Sequence, residues 1–441
     1  MRRFCGRPLP STRQHQSHTG SGILPPQRTA GRRPGASLTG IYVTNDGANW
    51  GEFRLSQPST RPLKIAIASS GLAHIRRGVE TWAQDLGVAL RRRGADATTF
   101  QGSADPAAPS GTVVPCWRRY DPKAERVVHL LRGFGGWRVG LGSGYSVEQT
   151  TFAWNLWPLI RSSFDILHVQ DPHLALVFER LHRLHLSRPR VILAHGTEED
   201  TAFLRKFSYL QHLAPNYLES WEASKPARQI AFAVPNFVDI DHFRPGDKAA
   251  ARAAAGLPQD ALVFLSVGAL KKFHKRMDYL IREFSAWRKT QRSRTLLVIV
   301  GAREPETDDV LRLGAEFDPE SIIIIENAPR DRVLNLLHAA DVFTLASLHE
   351  MMPIAVLEAI AVGLPIACND DPTLRWMVDD AGPIRDISLA GALAEQFSAL
   401  ADPQLRSRMS LAARARAEAL FSESVVVDQI LAMYQQVATS S

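Results

Sequence analysis

Two glutamates separated by seven residues, Glu350 and Glu358, stand on either side of a predicted helix start. Pro353 suits the first turn of a helix, because the N–H that proline lacks has no partner there anyway. The apolar run that follows predicts a largely buried helix. The free N–H groups at its start, near Met351 and Met352, attract anions. The segment therefore predicts a phosphate-and-sugar site, with one carboxylate on each side of the ligand.

A basic turn is the second candidate for anion binding. It runs from Gly268 to Arg276, after an apolar strand and before a predicted helix. Open α/β sheets bind ligands at the carboxyl ends of their strands. We therefore predict that Gly268 lies at the site and that Lys275 is a phosphate ligand. Lys271 or Arg276 would supply a second positive charge, and the spacing alone does not choose between them; a solvated basic turn is the alternative.

Three residues in the first half of the chain are weaker candidates. His195 ends an apolar strand and precedes a glycine, so its imidazole is expected at the edge of the sheet. Gly71 and Gly78 belong to the loop after the first strand, where a residue without a side chain lets a phosphate or an acceptor approach the backbone. Either glycine can equally serve the turn alone.

Two parallel sheets are needed to position these residues. Strand and helix patterns alternate from Leu63 onward, and a second alternating series begins at Leu262. Such alternation predicts a parallel, doubly wound sheet in each half of the chain. The predicted fold class is α/β, with two Rossmann-like domains, although the G-x-G-x-x-G fingerprint of dinucleotide binding is absent.

The chain of 441 residues divides into four predicted parts. Residues 1–60 are a disordered or misassigned N-terminal extension, because they carry no acidic residue before Asp46 and show no apolar periodicity. Residues 61–235 form the first Rossmann-like domain and residues 236–415 the second. Residues 416–441 form a final helix that is expected to return to the first domain.

Composition excludes several classes of protein. An apolar fraction of 45% and a charged fraction of 22% are typical of a soluble globular protein. No apolar run is long enough to span a bilayer. The cysteines Cys5, Cys116 and Cys368 suggest neither a disulfide framework nor a zinc site, which favours a cytoplasmic location. No His, Cys and carboxylate cluster has metal spacing, so neither a metal nor another cofactor is predicted.

The net charge of +7 is unevenly divided. Residues 1–245 carry 31 Lys and Arg against 19 Asp and Glu, or +12, while residues 246–441 carry 21 against 26, or −5. A basic front half suggests an anionic partner. The mixture of arginines and aromatics from Trp117 to Arg138 predicts peripheral contact with an anionic membrane at the inner face, an acceptor-side lid or an ordinary helix. No nucleic-acid-binding motif is visible, so nucleic acid is not predicted as a partner.

In order along the chain, these motifs resemble those of retaining GT-B glycosyltransferases, the family-four group that uses nucleotide sugars. Glu350 and Glu358 resemble the family's Glu-x7-Glu signature, and His195 resembles the histidine of its His-Gly motif. The resemblance covers roughly residues 62–440. Ala269 stands where the family has a phosphate-binding arginine, and the Gly-Phe-Gly after the first glutamate is replaced.

The resemblance implies two GT-B domains facing each other across a cleft. It implies a hexosyltransferase that moves a sugar from a nucleotide sugar to an acceptor hydroxyl with retention of configuration, in glycan, polysaccharide or glycolipid synthesis. The acceptor would be a glycan or a lipid-linked sugar. Glu350 would contact the transferred sugar, Glu358 the nucleotide ribose, and His195 would lie near the donor sugar.

Two other functions remain open at this level. The missing arginine and glycines also suit a non-catalytic nucleotide-sugar-binding protein. Another GT-B enzyme, such as a sugar-nucleotide epimerase, would share the same fold and donor. The sequence specifies neither the donor sugar, the nucleotide base, the acceptor nor the oligomeric state.

Overall fold

A computed structural model describes most of the chain after residue 60. The described residues are 42–43, 61–75, 78–104, 111–131, 135–136, 140–224 and 228–440. The predicted N-terminal extension therefore lies outside the described residues except for its two-residue strand, and so does part of the Trp117–Arg138 stretch.

The first half of the chain forms a mainly parallel sheet. Its strands are β1 (Tyr42–Val43), β2 (Lys64–Ser69), β3 (Asp96–Gln101), β4 (Thr112–Val113), β5 (Ile166–Val169), β6 (Arg190–His195), β7 (Tyr209–His212) and β8 (Ile230–Ala233). They lie in the order β1-β8-β7-β6-β5-β2-β3-β4, and only the pairing of β1 with β8 is antiparallel among these described strands. The chain winds to opposite sides of β2, so a ligand crevice is expected at the carboxyl ends of β2 and β5.

Helices connect these strands. They are α1 (Gly78–Arg92), α2 (Pro122–Leu131), α3 (Gly144–Ile160), α4 (Pro172–Arg183), α5 (Thr201–Leu204) and α6 (Pro215–Ala223). On α1, Trp82, Leu86 and Leu90 are buried at helical spacing, which fixes the helix on the sheet. Arg91 and Arg92 complement the carbonyl groups of its last turn.

The second half forms another parallel sheet. Its strands are β9 (Leu262–Val267), β10 (Thr295–Gly301), β11 (Ile322–Glu326), β12 (Val342–Thr344), β13 (Ile366–Asn369) and β14 (Ile384–Arg385), in the order β11-β10-β9-β12-β13-β14. Its helices are α7 (Lys248–Ala255), α8 (Met277–Arg288), α9 (Thr307–Phe317), α10 (Arg330–Ala339), α11 (Ile354–Ala361), α12 (Pro372–Val378), α13 (Ala392–Leu400) and α14 (Pro403–Arg416). The winding reverses at β9, so the crevice here is expected between the carboxyl ends of β9 and β12.

Strand β9 shows why the second sheet has a continuous apolar sequence. Val263 and Leu265 belong to one apolar core, whereas Phe264 between them belongs to the core on the opposite face. Successive side chains of a strand point to opposite faces, and both faces are covered by helices here. The strand therefore has no polar face.

The last helix, α15 (Glu423–Thr439), packs on the first domain. Its Tyr434 hydroxyl lies 2.8 Å from Nδ1 of the buried His168, and its Asp428 accepts a 2.8 Å hydrogen bond from Arg93, the residue after α1.

One predicted detail was wrong. A single helix over residues 416–441 was expected, but the chain forms a wide turn over Ala417–Phe421, is extended at Ser422 and becomes helical again only in α15. Val238 pairs with the backbone groups at this break: its N–H donates to Phe421 O at 2.8 Å, and its carbonyl accepts from Glu423 N at 3.1 Å. Pro353 lies at the start of α11, where it is the N-cap residue in an extended conformation.

Candidate active site

The turn after β9 lies at the winding reversal of the second sheet. Lys275 Nζ is ion-paired there with Glu350 Oε1, which follows β12 along the chain. A Cβ built on Gly268 would lie 3.6 Å from Lys275 Cδ, at ordinary van der Waals contact, so the lysine stem lies directly beside this glycine. The structure thus brings together Gly268, Lys275 and Glu350 at the edge where a ligand is expected.

A carboxylate fixes the shape of this turn. Glu306 Oε2 accepts backbone hydrogen bonds from Lys272 at 2.6 Å and Phe273 at 3.0 Å. His274 and Arg276 both have left-handed backbone conformations, with φ of 68° and 49°. Such conformations are costly for residues with a Cβ and persist where neighbours hold them. The result is a turn that fixes the backbone on both sides of Lys275.

The two candidates for a second positive charge differ in their surroundings. Arg276 donates to Ala346 O at 3.4 Å and to Ile387 O at 3.0 Å, and its guanidinium stacks 3.9 Å from the centre of the Tyr279 ring. Its hydrogen-bonding groups are therefore directed at backbone carbonyls beneath the turn. Lys271 is half-buried. Burial is the main reason that the pKa of His274 is lowered, and the positive charge of Lys271 is close enough to lower it further. Lys271 is thus the better placed of the two.

The loop that carries Glu350 is tied down from several directions. Asn369 donates to Leu348 O at 2.5 Å, and His349 Nδ1 lies 2.7 Å from Asp371 Oδ2. The same Asp371 caps α12 through the N–H groups of Thr373 and Leu374, at 3.0 and 3.2 Å. A side chain on so constrained a loop is held in place before a substrate arrives.

Met351 and Met352 are buried between this loop and the start of α11. The Asn236 side chain donates to Met352 O at 3.4 Å, and its backbone N–H points at Met352 Sδ at 3.1 Å. Asn236 belongs to the segment between the two domains, so that segment holds the start of α11. The methionine side chains fill space, and only their backbone amides are suited to a phosphate.

Glu358 lies one turn into α11 and is almost completely buried. Burial raises the pKa of its carboxyl to about 7, and the nearby charge of Arg330 opposes that rise. Arg330 Nη2 lies 3.5 Å from Glu358 Oε1. The same guanidinium donates to both carboxylate oxygens of Asp85, at 2.9 and 2.8 Å. Because Asp85 is on α1 of the first domain, these contacts join the two domains beside Glu358.

His195 approaches the site from the first domain. Its Nδ1 lies 3.3 Å from Nδ1 of His212 on the neighbouring strand, and its ring packs edge-on against Tyr217 at 5.9 Å between centres. Tyr217 in turn donates to Glu350 O at 3.1 Å. His195 and Glu350 are therefore linked through one tyrosine, although they come from different domains.

Burial determines the protonation of this histidine pair. It lowers the pKa of His195 to about 4 and that of His212 to about 3. Both imidazoles are consequently neutral near pH 7. His195 presents a hydrogen-bonding group to the site rather than a positive charge.

The two candidate glycines have different surroundings. A Cβ built on Gly78 would lie 3.8 Å from Ile354 Cδ1, so the start of α1 lies close to the start of α11. The positive ends of two helix dipoles thus approach the same region from the two domains. A Cβ on Gly71 would lie 2.3 Å from Glu80 Oε1, so Gly71 is needed for contact with a buried charged cluster.

The buried charged cluster beside Gly71 includes Arg119, Glu148 and Asp171. Arg119 donates from Nε and Nη2 to the fully buried Glu148, whose pKa is held at about 2 against its burial by His74 and Arg119. Asp171 accepts from Ser70 N at 2.7 Å at the carboxyl ends of β2 and β5. The paired charges make this crevice of the first domain polar and rigid. Its members lie far apart in the chain, and no local motif marks them.

Metal and membrane expectations can be compared with the described residues alone. In that part of the chain, His, Cys, Asp and Glu side chains do not gather in groups of three or more that could hold a metal ion. The expectation that no metal or other cofactor is required stays a prediction. Among the helices of the described ranges, none combines the length and apolar character that crossing a bilayer requires.

Two parallel-sheet α/β domains with this winding form a GT-B fold, which confirms the predicted fold class. Sucrose-phosphate synthase from Thermosynechococcus elongatus superposes with a TM-score of 0.67 at 18% identity, over 86% of this chain and 100% of that one. The Anabaena protein HepE, solved in complex with UDP-glucose, superposes with a TM-score of 0.62 at 14% identity, over 84% and 98%. At such identities the likeness is one of fold.

A family model and curated relatives match part of this chain. Residues 247–416 match the family model for glycosyl transferases group 1. The D-inositol 3-phosphate glycosyltransferase of Acidothermus cellulolyticus is 32% identical over 212 residues, which are 46% of this chain and 47% of that protein. This chain therefore spans about half the length of that relative. The matches support a glycosyltransferase.

Proposed function

We propose that this chain is a retaining glycosyltransferase that moves a hexosyl group from a nucleotide sugar to an acceptor hydroxyl. The observation that carries the proposal is the Lys275–Glu350 pair, at the winding reversal of the domain that matches the glycosyl transferase model. Glu358 lies eight positions further on, within α11. The ammonium group of Lys275 would bind the donor diphosphate. The carboxylate of Glu350 would accept hydrogen bonds from hydroxyls of the sugar, and that of Glu358 from hydroxyls of the ribose.

Electrostatics explain how this arrangement would accelerate transfer. The bond from the anomeric carbon to the diphosphate oxygen breaks, and its electron pair leaves with the nucleoside diphosphate. The acceptor oxygen forms the new bond, and its proton passes to the departing diphosphate. Negative charge therefore grows on the diphosphate as the transition state forms. Lys275, Lys271 and the backbone amides at the start of α11 stabilise that charge more than the ground state.

Glu350 would have two partners during this reaction. Its carboxylate is paired with Lys275, and a diphosphate would compete for the same ammonium group. Release from the lysine would leave the carboxylate available to hydroxyls of the sugar. Its loop is held by the contacts of His349 and Leu348, so the group is positioned without cost at the moment of reaction.

The first domain would bring the acceptor. His195 is neutral near pH 7 because burial lowers its pKa to about 4, so it can orient a hydroxyl without repelling or attracting charge. The hydrogen bond from Tyr217 to Glu350 O holds the first domain against the loop that carries Glu350. The acceptor hydroxyl would then meet the anomeric carbon between His195 and Glu350.

We propose that the enzyme is cytoplasmic and touches an anionic membrane through the first domain. Trp154 on α3 and Trp117 in the loop before α2 are 70% and 41% exposed, and they line one apolar pocket of about 250 Å³. Lys123 and Arg126 are exposed on the neighbouring α2. Exposed tryptophans with cations nearby suit the interface of an anionic bilayer. Such contact would bring the enzyme to a lipid-linked acceptor.

A binding panel followed by a transfer assay tests the proposal. UDP, GDP, ADP and TDP, each with and without a sugar, are compared by thermal shift, because a specific ligand raises stability by mass action, by about 2.7 kcal/mol at a hundred-fold excess over Kd. The best donor is then incubated with mixed glycan and glycolipid acceptors, and the anomeric configuration of the product is read by NMR. A glycoside with the donor's configuration is expected.

Other results would favour the alternatives. Binding without turnover on any acceptor would indicate a nucleotide-sugar-binding protein. An altered nucleotide sugar formed without acceptor would indicate an epimerase. A product of inverted configuration would keep the transferase and reject retention.

A further inference from the structure

Arg330 occupies a position between the two domains that the donor chemistry alone does not require. It begins α10, and its guanidinium donates to both oxygens of Asp85 at 2.9 and 2.8 Å. A planar guanidinium facing a carboxylate with two parallel hydrogen bonds is the most directional ion pair available to proteins. The residues are 245 positions apart in the chain. Their pairing exists only when α1 and α10 lie together.

The same guanidinium also reaches the interior of the second domain. Its Nη2 lies 3.5 Å from Glu358 Oε1, and its carbon lies 5.4 Å from the ring centre of Phe243 in the segment between the domains. One side chain thus contacts the first domain, the connecting segment and the buried carboxylate. The Glu358 side chain is 10% exposed, so it has little water to stabilise its charge.

We propose that Arg330 is a positioning residue that couples the approach of the two domains to the charge and orientation of Glu358. This inference rests on the proposed function, in which Glu358 holds the ribose of the donor. When Asp85 engages Arg330, the guanidinium is drawn toward α1 and its charge is shared between two carboxylates. When the domains separate, Arg330 is left with Glu358 as its partner. The affinity of the donor site would therefore depend on whether the first domain is in place.

The charges around Glu358 determine the direction of the effect. Arg330 of α10 lowers the pKa of Glu358, whereas Asp85 of α1 raises it. On α14, which also packs against α11, Arg414 donates to Ala361 O at 2.7 Å and pairs with Glu418 at 2.6 Å. Arg330 and Asp85 are thus the two groups whose removal changes the ionisation of Glu358, and they act in opposite senses.

Two substitutions separate this coupling from a simple structural contact. Arg330→Met removes the cation and keeps most of the side-chain volume; Asp85→Asn removes the opposing charge and keeps the shape. The Kd of the nucleoside diphosphate that most stabilises the unmodified protein is measured by calorimetry from pH 5.5 to 9. Ionised Glu358 accepts hydrogen bonds from ribose hydroxyls, so binding strengthens as pH rises through its pKa. The same series on Glu358→Gln corrects for ionisation of the ligand itself.

The expected shifts have opposite signs. In Arg330→Met the midpoint of the pH profile moves up by about one unit, the lower end of what loss of an adjacent opposite charge produces. In Asp85→Asn the midpoint moves down, because Glu358 is then the only carboxylate that the charge of Arg330 stabilises at this position. The matched control is Asp428→Asn, which removes the 2.8 Å ion pair between Asp428 of α15 and Arg93 at the end of α1. That pair also joins α1 to the C-terminal part of the chain, and its loss should leave the midpoint unchanged.

Three results would overturn the inference. Equal weakening by both variants without movement of the midpoint would assign Arg330 a purely structural role. A wild-type profile that matches Glu358→Gln would remove the carboxylate from ribose binding. If no nucleotide in the panel binds the unmodified protein, the proposed function fails first and this inference fails with it. Circular dichroism of each variant at the same pH values shows whether the fold is intact.

Discussion

The hydroxyl of Tyr217 donates to the backbone carbonyl of Glu350 across 3.1 Å, so a side chain of the first domain holds a loop of the second. The pKa of the Tyr217 hydroxyl is raised to about 12, chiefly by burial, and it remains a donor throughout the physiological range. This hydrogen bond joins α6, whose Tyr217 packs against the His195 ring, to the loop that carries Glu350.

Tyr217→Phe should therefore reduce turnover as well as stability, each by about the contribution of one hydrogen bond. A single hydrogen bond contributes about 1 kcal/mol, so the rate is expected to fall on the order of five-fold while the free energy of unfolding changes by about 1 kcal/mol at most. Steady-state kinetics with the best donor and urea unfolding measure the two quantities. Asn216→Ala is the matched control, because it removes a neighbouring 3.3 Å contact to Thr373 between the same domains. Equal effects of the two variants would show that Tyr217 merely joins the domains.

Lys275→Met should lower turnover by about ten-fold to a thousand-fold, since the variant lacks the cation that faces the growing diphosphate charge. The carboxylate of Glu350 would also lose its partner. The double variant Lys275→Met with Glu350→Gln should recover stability without recovering activity. Lys272→Met is the control: Lys272 lies three positions away and pairs with Asp309. If Lys272→Met were as damaging as Lys275→Met, the specific role of Lys275 would be lost.

The raised pKa of Glu358 predicts a stability that depends on pH even without a ligand. The folded pKa is about 7 and the ordinary value is 4.5, so the folded state holds the proton more tightly. The stabilisation is complete below pH 4.5 and is lost as pH rises through 7. Glu358→Gln has no such proton to lose, so it should gain on the order of 2 to 3 kcal/mol relative to the wild type between pH 4.5 and 8. Urea unfolding at both pH values measures the difference. If the free energy of unfolding changed equally with pH in the two proteins, burial would not raise the pKa of Glu358.

Membrane contact predicts that the paired change Trp117→Ser and Trp154→Ser abolishes binding to vesicles that contain anionic lipid. Both indoles are exposed, so the free energy of unfolding should change little. Sedimentation with phosphatidylglycerol vesicles, compared with phosphatidylcholine vesicles, measures the binding. Leu411→Ser, which changes a leucine 73% exposed on α14 of the second domain, is the control. Retention of binding in the tryptophan variant would place the contact elsewhere or remove it.

Local sequence was sufficient for much of the fold. The second alternating series was predicted to begin at Leu262, and β9 begins there, because a strand buried on both faces has a nearly continuous apolar sequence. Helix α3 was not predicted. It is apolar around most of its circumference, with Trp154 exposed and Pro158 inside, so it lacks the periodicity that marks an amphipathic helix.

The site was predictable only in its parts. Lys275 was expected in a turn after a strand and Glu350 before a helix start, but their ion pair joins residues 75 positions apart, and no local pattern predicts which side chains meet. Arg276 satisfied the same spacing argument as Lys271, and only the carbonyls of Ala346 and Ile387 distinguish them. No local pattern marks Arg330, because an arginine at a helix start resembles many other surface residues.

The backbone bonds that Val238 makes with Phe421 and Glu423 have a consequence for motion. The polypeptide crosses between the domains twice, once near Val238 and once near Ser422. The backbone bonds join these two crossing segments to each other. Two independent linkers would let one domain slide over the other, whereas two linkers that are hydrogen-bonded to each other act as a single hinge. We therefore expect any relative motion of the two domains to pivot near Val238, which would carry α1 toward or away from the start of α11.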